Sequence, residues 1–315
     1  MNLHVTHLAI AAITAMTGFG HGNASATTTG ATASAFVSGT TVSRSMTAGS
    51  EGTQVAADQV IPSPIGDVFV SAEASSIPGA LRAAGVARTS GSPGGFQAQA
   101  SSVWADNFII SSNGYDSSMT GLFSGAVQVS GGLIVNFSGR TYSDTQAYAT
   151  VDVFPGTGYN GGRTTVTGSV RRLVGYDISG IDTGNYTFTL LLSNVPFTFN
   201  QRIDISFSLA VSADVNAIDI GATGRSDANY GHTMTWTGLS SVSDQGGTLL
   251  HNYSASSSGS GFNFANATPV PEPRSVALLC VGLLWIAQRR RSLMCSMYYI
   301  LMREVTQCRS CRTDA

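Results

Sequence analysis

The sequence predicts a mainly β chain: an antiparallel β-sandwich, jelly-roll-like, between an N-terminal signal peptide and a single C-terminal transmembrane helix. Three observations carry that expectation. From about Gln97 onward, several runs alternate apolar with small or polar residues at a period of two, and Gly, Asn and Asp clusters punctuate them. The same stretch holds no heptad or other helical period. Each end of the chain carries a short apolar run free of formal charge, and the flanks of the two runs differ.

Residues 1–26 read as a secretory signal peptide. Leu8 to Met16 supply the apolar core, and Ala24-Ser25-Ala26 is a small-x-small cleavage site that places the mature start at Thr27. The leading segment has His4 and His7 but no Lys or Arg, a departure from the usual basic start. Gly18, Gly20 and Gly22 oppose a helix running on into a folded domain.

Residues 27–95 are rich in Ser, Thr, Ala and Gly. Their first part, to about residue 60, holds few large apolar groups and is expected to be disordered or only loosely paired. The sandwich is expected over 96–253. Its strand candidates are Gly132–Ser138, Thr145–Phe154, Tyr186–Leu192, Ile203–Val211 and Thr233–Leu239. In the fourth, Ile203, Ile205, Phe207, Leu209 and Val211 share one face. Between the runs, Gly156-Thr157-Gly158, Asn160-Gly161-Gly162 and Gly180 to Asn185 read as loops, and Asp244 to Gly247 as a hairpin turn. A β-solenoid is the alternative, but no fixed repeat period supports it. Residues 254–268 open with SASSSGSG and read as a flexible Ser/Gly linker.

Residues 269–292 combine three unlike elements. Pro271 and Pro273 fix φ at two of three positions and extend the residue before each, so Val270-Pro271-Glu272-Pro273 is a stiff non-helical segment presenting one carboxylate. Ser275 to Gln288 carries no formal charge and spans roughly 21 Å as a helix. That is short of the roughly 30 Å hydrocarbon core, which by itself fits a buried core helix. The flanks favour a membrane: Arg289, Arg290 and Arg291 form a cytoplasmic stop, their side chains extend the span by snorkelling, and Trp285 suits an interface.

Val-Pro-Glu-Pro, a short Leu/Gly/Ala helix and an Arg cluster together resemble the PEP-CTERM sorting domain of exopolysaccharide-producing bacteria. The resemblance covers about 269–292. It implies that an exosortase-type membrane transpeptidase recognises Val270, Pro271, Glu272 and Pro273, with Arg289, Arg290 and Arg291 as the membrane stop. It also implies removal of the tail and delivery of the protein to the cell surface or extracellular matrix. Asn229 to Leu239 is similar to the last-strand pattern that precedes the linker in such proteins. One departure stands out. Family members end close to the Arg cluster, whereas here 24 more residues follow it, and 293–315 form an atypical C-terminal extension.

Between the two terminal signals there is no Cys, and the chain has no Lys at all. Stability there must come from sheet hydrogen bonds and a packed core rather than disulfides, and Lys-based Schiff-base chemistry is excluded. Over 27–269, nine Arg face fifteen Asp or Glu, a net charge of −6 that disfavours a nucleic-acid or polyanion role.

Signals for catalysis or metal binding are weak. Ser226, Asp227 and His232 contain the residue types of a hydrolase triad without a nucleophile elbow. Asp214, Asn216 and Asp219, or Asp177 with Asp182, offer oxygens to Ca²⁺ without the spacing of a known loop, and turn formation is the better account. Cys308-x-x-Cys311 lacks a second pair. Trp104 and Trp236 read as core residues rather than sugar platforms, and Arg171-Arg172 as a small solvated basic spot.

The sequence thus leads to an exported, non-enzymatic surface or matrix protein with no cofactor, metal or catalytic residue. Its expected partners are the Sec machinery, signal peptidase, an exosortase and, transiently, the membrane. The expected role is structural or adhesive; the alternative is a carbohydrate-binding module acting on exopolysaccharide.

Overall fold

The computed structural model describes residues 28–37, 40–48, 53–61, 66–156, 163–175 and 180–267. The chain divides into two compact units at Thr268/Pro269, and every described residue lies in the first. Thirteen strands form it: β1 (Thr28–Val37), β2 (Thr40–Ala48), β3 (Thr53–Ile61), β4 (Val68–Ile77), β5 (Ala80–Ser90), β6 (Gly94–Ser112), β7 (Thr120–Ser138), β8 (Thr141–Pro155), β9 (Thr164–Gly175), β10 (Gly180–Thr198), β11 (Arg202–Ala217), β12 (Thr223–Asp244) and β13 (Tyr253–Ser256). All pair antiparallel, in two sheets. Sheet A runs β2-β1-β6-β11-β8-β9, with β13 also on β6; sheet B runs β10-β7-β12-β5-β4-β3.

The antiparallel sandwich expected from the alternating runs is present. Its central pairings are nested: β8 pairs with β9, β7 with β10, β6 with β11 and β5 with β12, with successive pairs falling in alternate sheets. That is the strand order of a jelly roll. All five sequence-derived strand candidates fall within β7, β8, β10, β11 and β12, and the Asp244–Gly247 turn is formed, Gly247 N–H donating to the Asp244 carbonyl at 3.1 Å. Gly180–Asn185, expected as a loop, is instead the start of β10, in register with Phe137–Gly132 of β7.

The larger correction concerns residues 27 to about 60, expected to be disordered or loosely paired. They supply three strands, β1 to β3, and β4 and β5 follow before residue 95, the five distributed over both sheets. The reason is packing distance. Ala31, Ala33, Ala35, Ala72, Ala74, Ala83, Ala87, Ala98 and Ala100 all point inward and are 3% exposed or less. A Cβ on Gly85 would lie 3.3 Å from the Ala98 carbonyl oxygen in the opposite sheet. Where two sheets approach this closely small side chains fit best, so Ala dominates the inward face, with Val37, Val68, Val70 and Leu81 toward the strand ends. Turn chemistry agrees: Pro78-Gly79 closes β4 to β5, with φ 82° at Gly79, a value that favours glycine.

Large side chains fill the other end of the sandwich. Trp104 stacks on Phe207 at 4.7 Å between centroids and on Phe264 at 5.5 Å, and Phe264 lies 4.5 Å from Phe108. Trp236 of sheet B meets Phe207 of sheet A edge-on at 5.9 Å, so the aromatic cluster joins the sheets. Each such contact adds about 0.5–1.5 kcal/mol beyond area burial.

Candidate functional site

The residues assigned to sorting and processing, Val270, Pro271, Glu272, Pro273, Arg289, Arg290, Arg291, Ala24 and Ala26, lie outside the described residues, as do Asp177, Cys308 and Cys311. What the structure does describe is how the folded unit ends before them. The Ser/Gly stretch is not a free linker. β13 pairs with Ser112–Ile109 of β6, extending the line that β1 begins along the same strand. Ser257 and Ser260 hydroxyls then donate to the two oxygens of the buried Asp106 at 2.7 and 2.5 Å, and the Asn107 N–H donates to the same carboxylate at 2.7 Å. Ser258 donates to Asn107 Oδ1 at 3.0 Å. Phe264 follows, fully buried, its carbonyl accepting the Trp236 indole N–H at 2.8 Å and the Leu239 N–H at 3.2 Å.

Residues 257–264 therefore form a strap across the aromatic end of the sandwich. A buried carboxylate is costly unless its lone pairs are satisfied, and the strap hydroxyls satisfy those of Asp106. The sandwich thus extends to Ala267, well past 253. Thr268 and Pro269 alone stand between Ala267 and Val270.

The candidate catalytic and metal residues do not converge. Ser226 points between the sheets and pairs with Thr145 at 2.5 Å, whereas Asp227 points away from the core toward Arg225. The side chain of His232 lies outside the described residues. Asp214 sits on the outer face of sheet A, while Asp219 lies in the β11–β12 turn with Arg140 at 3.7 Å. Among the described residues no group of three or more His, Cys, Asp or Glu could hold a metal ion, and no helix is long and apolar enough to cross a membrane. Trp104 and Trp236 are core residues, each 1% exposed. Arg171 and Arg172 do not form one basic spot. Arg171 reaches Asp144, and Arg172 turns to the opposite face, its guanidinium against the Tyr186 hydroxyl and ring.

Two outward faces carry concentrated polar chemistry. On sheet A, Asp144 of β8 lies directly opposite Asp214 of β11. Arg171 donates to both oxygens of Asp144, Nε at 2.9 Å and Nη2 at 2.6 Å. Asp214 has no guanidinium of its own: Ser212 Oγ donates to Oδ2 at 3.2 Å, and Oδ1 is buried. Burial pushes the Asp214 carboxyl up to about 7; Asp144 adds to this, while Gln97, Ser212 and Arg171 offset part of it.

The consequence is a pH dependence. The folded state holds the Asp214 proton up to about pH 7, whereas the unfolded chain releases it near 3.8. Between those values the folded state binds more protons, so this group's contribution to stability falls as pH rises from about 4 to about 7. Asp214→Asn is expected to remove that slope and to stabilise the protein at pH 8 by about 2–4 kcal/mol. Urea midpoints at pH 5 and pH 8 measure it.

On sheet B, Phe69, Arg88, Arg225 and Asn136 form one row across β4, β5, β12 and β7, each directly opposite the next. Asp227 lies one step along β12. Its Oδ2 accepts Arg225 Nε at 2.7 Å together with Nη2, and lies 3.7 Å from Arg88 Nη2. The Asp227 side chain is 7% exposed, and its Oδ1 has no hydrogen-bond partner. The Arg88 guanidinium sits 5.7 Å from the centroid of the Phe69 ring. Above the row is an open groove of about 350 Å³, with Asp67, Ser90 and Thr223 at its rim. No signal short of the β5–β12 register brings Arg88 and Arg225 together, and the sequence reading missed both. No protein-family model matches this chain, and no curated protein or solved structure matches it.

Proposed function

We propose that this chain is an exported surface or matrix protein, sorted through Val270-Pro271-Glu272-Pro273 and trimmed by an exosortase-type membrane transpeptidase. In this reading the jelly-roll sandwich is a structural or adhesive cargo rather than an enzyme. One observation carries it: a stiff Pro-Glu-Pro, an apolar run and an Arg cluster directly follow a folded unit that is itself free of Cys and Lys. A stable sandwich without disulfides needs no oxidative step after export, and its ordered strap leaves the recognition residues next in sequence. Intact-mass analysis of the surface or secreted form is the test. The expected species begins at Thr27 and lacks the apolar run with Arg289–Arg291. A surface form that retains residues 1–26 or 275–291 contradicts the proposal.

A second reading, polysaccharide binding by the sandwich, is favoured by the open groove on the outer face of sheet B.

A further inference from the structure

We infer that the sheet B groove is a binding site for a carboxylate-bearing sugar unit, a uronate, with Arg88 as the carboxylate-binding residue. The inference deepens the polysaccharide-binding reading and rests on it. Its starting point is a pair of guanidiniums beside one nearly buried carboxylate. Arg225 donates to Asp227 Oδ2 through two nitrogens. Arg88 stands directly opposite Arg225 in the ladder, where like charges repel. It reaches Asp227 only at 3.7 Å, with its side chain 44% exposed, and it lines the groove. A guanidinium presents a planar fork of donors that matches a carboxylate in two parallel hydrogen bonds.

The rest of the row suits a sugar rather than a bare anion. Phe69 supplies an apolar ring face beside the cation. Asn136 and Thr223 supply neutral donors and acceptors on the far side of the Arg pair, and Asp67 at the rim accepts hydroxyl donors. The groove lies on the open face of a sheet, so a linear chain can pass through it without an end. The domain as a whole is acidic, which repels polyanions. The paired arginines of the groove hold one carboxylate at a time, and acidic polypeptides, which lack ring faces for Phe69, are disfavoured.

The test is affinity electrophoresis of the full-length chain in non-ionic detergent. The gels contain alginate, hyaluronan, carboxyl-reduced alginate or polyglutamate. Retardation by at least one uronate polysaccharide is expected, weakened at least tenfold in Arg88→Gln and also weakened in Phe69→Ala. Arg88→Gln leaves Arg225 on Asp227, so folding is kept; unchanged urea midpoints confirm that. No retardation by either uronate polymer overturns the inference, as does equal retardation by polyglutamate or undiminished binding by Arg88→Gln. Retardation by carboxyl-reduced alginate as strong as by alginate also overturns it, while leaving polysaccharide binding itself standing.

Discussion

With Pro271, Glu272 and Pro273 replaced by Ala, the protein is expected to stay in the inner membrane with its C-terminal tail attached. Proline disfavours helix and extends the residue before it, and Glu272 is the one carboxylate between Pro271 and Pro273. Triple Ala removes that restriction and the carboxylate, since Ala is the strongest helix former. Recognition of an extended acidic segment is then lost together with the segment. Co-expression with an exosortase, fractionation and intact mass give the answer. Wild type shifts to the shorter, released species and the variant does not, a loss of at least tenfold in processed product. A variant processed and located like wild type rules out the sorting role.

Ending the chain at Tyr253, where composition places the start of a linker, is expected to abolish stable folding; ending it at Thr268 is not. The shorter chain loses most of β13 and the whole strap, leaving Asp106 buried without its serine partners and Trp236 without the Phe264 carbonyl. Phe264 alone, fully buried among Trp104, Phe108 and Trp236, accounts for about 3–5 kcal/mol when cut back to Ala. Loss of the two serine donors to the Asp106 carboxylate adds about 1.5–3 kcal/mol for each hydrogen bond. Together these approach the whole stability of a typical domain, roughly 5–15 kcal/mol. Urea unfolding of Phe264→Ala in the full chain tests the same point without truncation. A midpoint equal to wild type would show the strap to be decorative.

How legible each part was depends on where its partner lies. Ile203–Val211 is readable because β-branched and aromatic residues alternate with polar ones, and β11 contains it. β1, β4 and β5 have the same period with low amplitude, because Ala fills most of the positions that face the other sheet. Composition therefore reads them as low complexity. Ser257 and Ser260 look flexible in sequence, yet their acceptor is Asp106, over 150 residues away. The Arg88–Arg225 row depends on the register of two strands far apart in the chain. The Pro-Glu-Pro segment is the opposite case. The sorting role proposed for it rests on adjacent residues alone, and the segment lies outside the described residues.

The strap also sets a clock. Its partner Asp106 lies 151 residues before Ser257, and the nested pairs close around contacts of long sequence separation. Such topologies fold slowly, because chain ends must meet before any contact repays the lost entropy. The aromatic core stays open until Phe264, among the last residues of the unit, is available. A chain emerging N-terminus first therefore completes this core only after nearly all of the unit has emerged. It becomes rigid only when the residues just before Val270 have arrived.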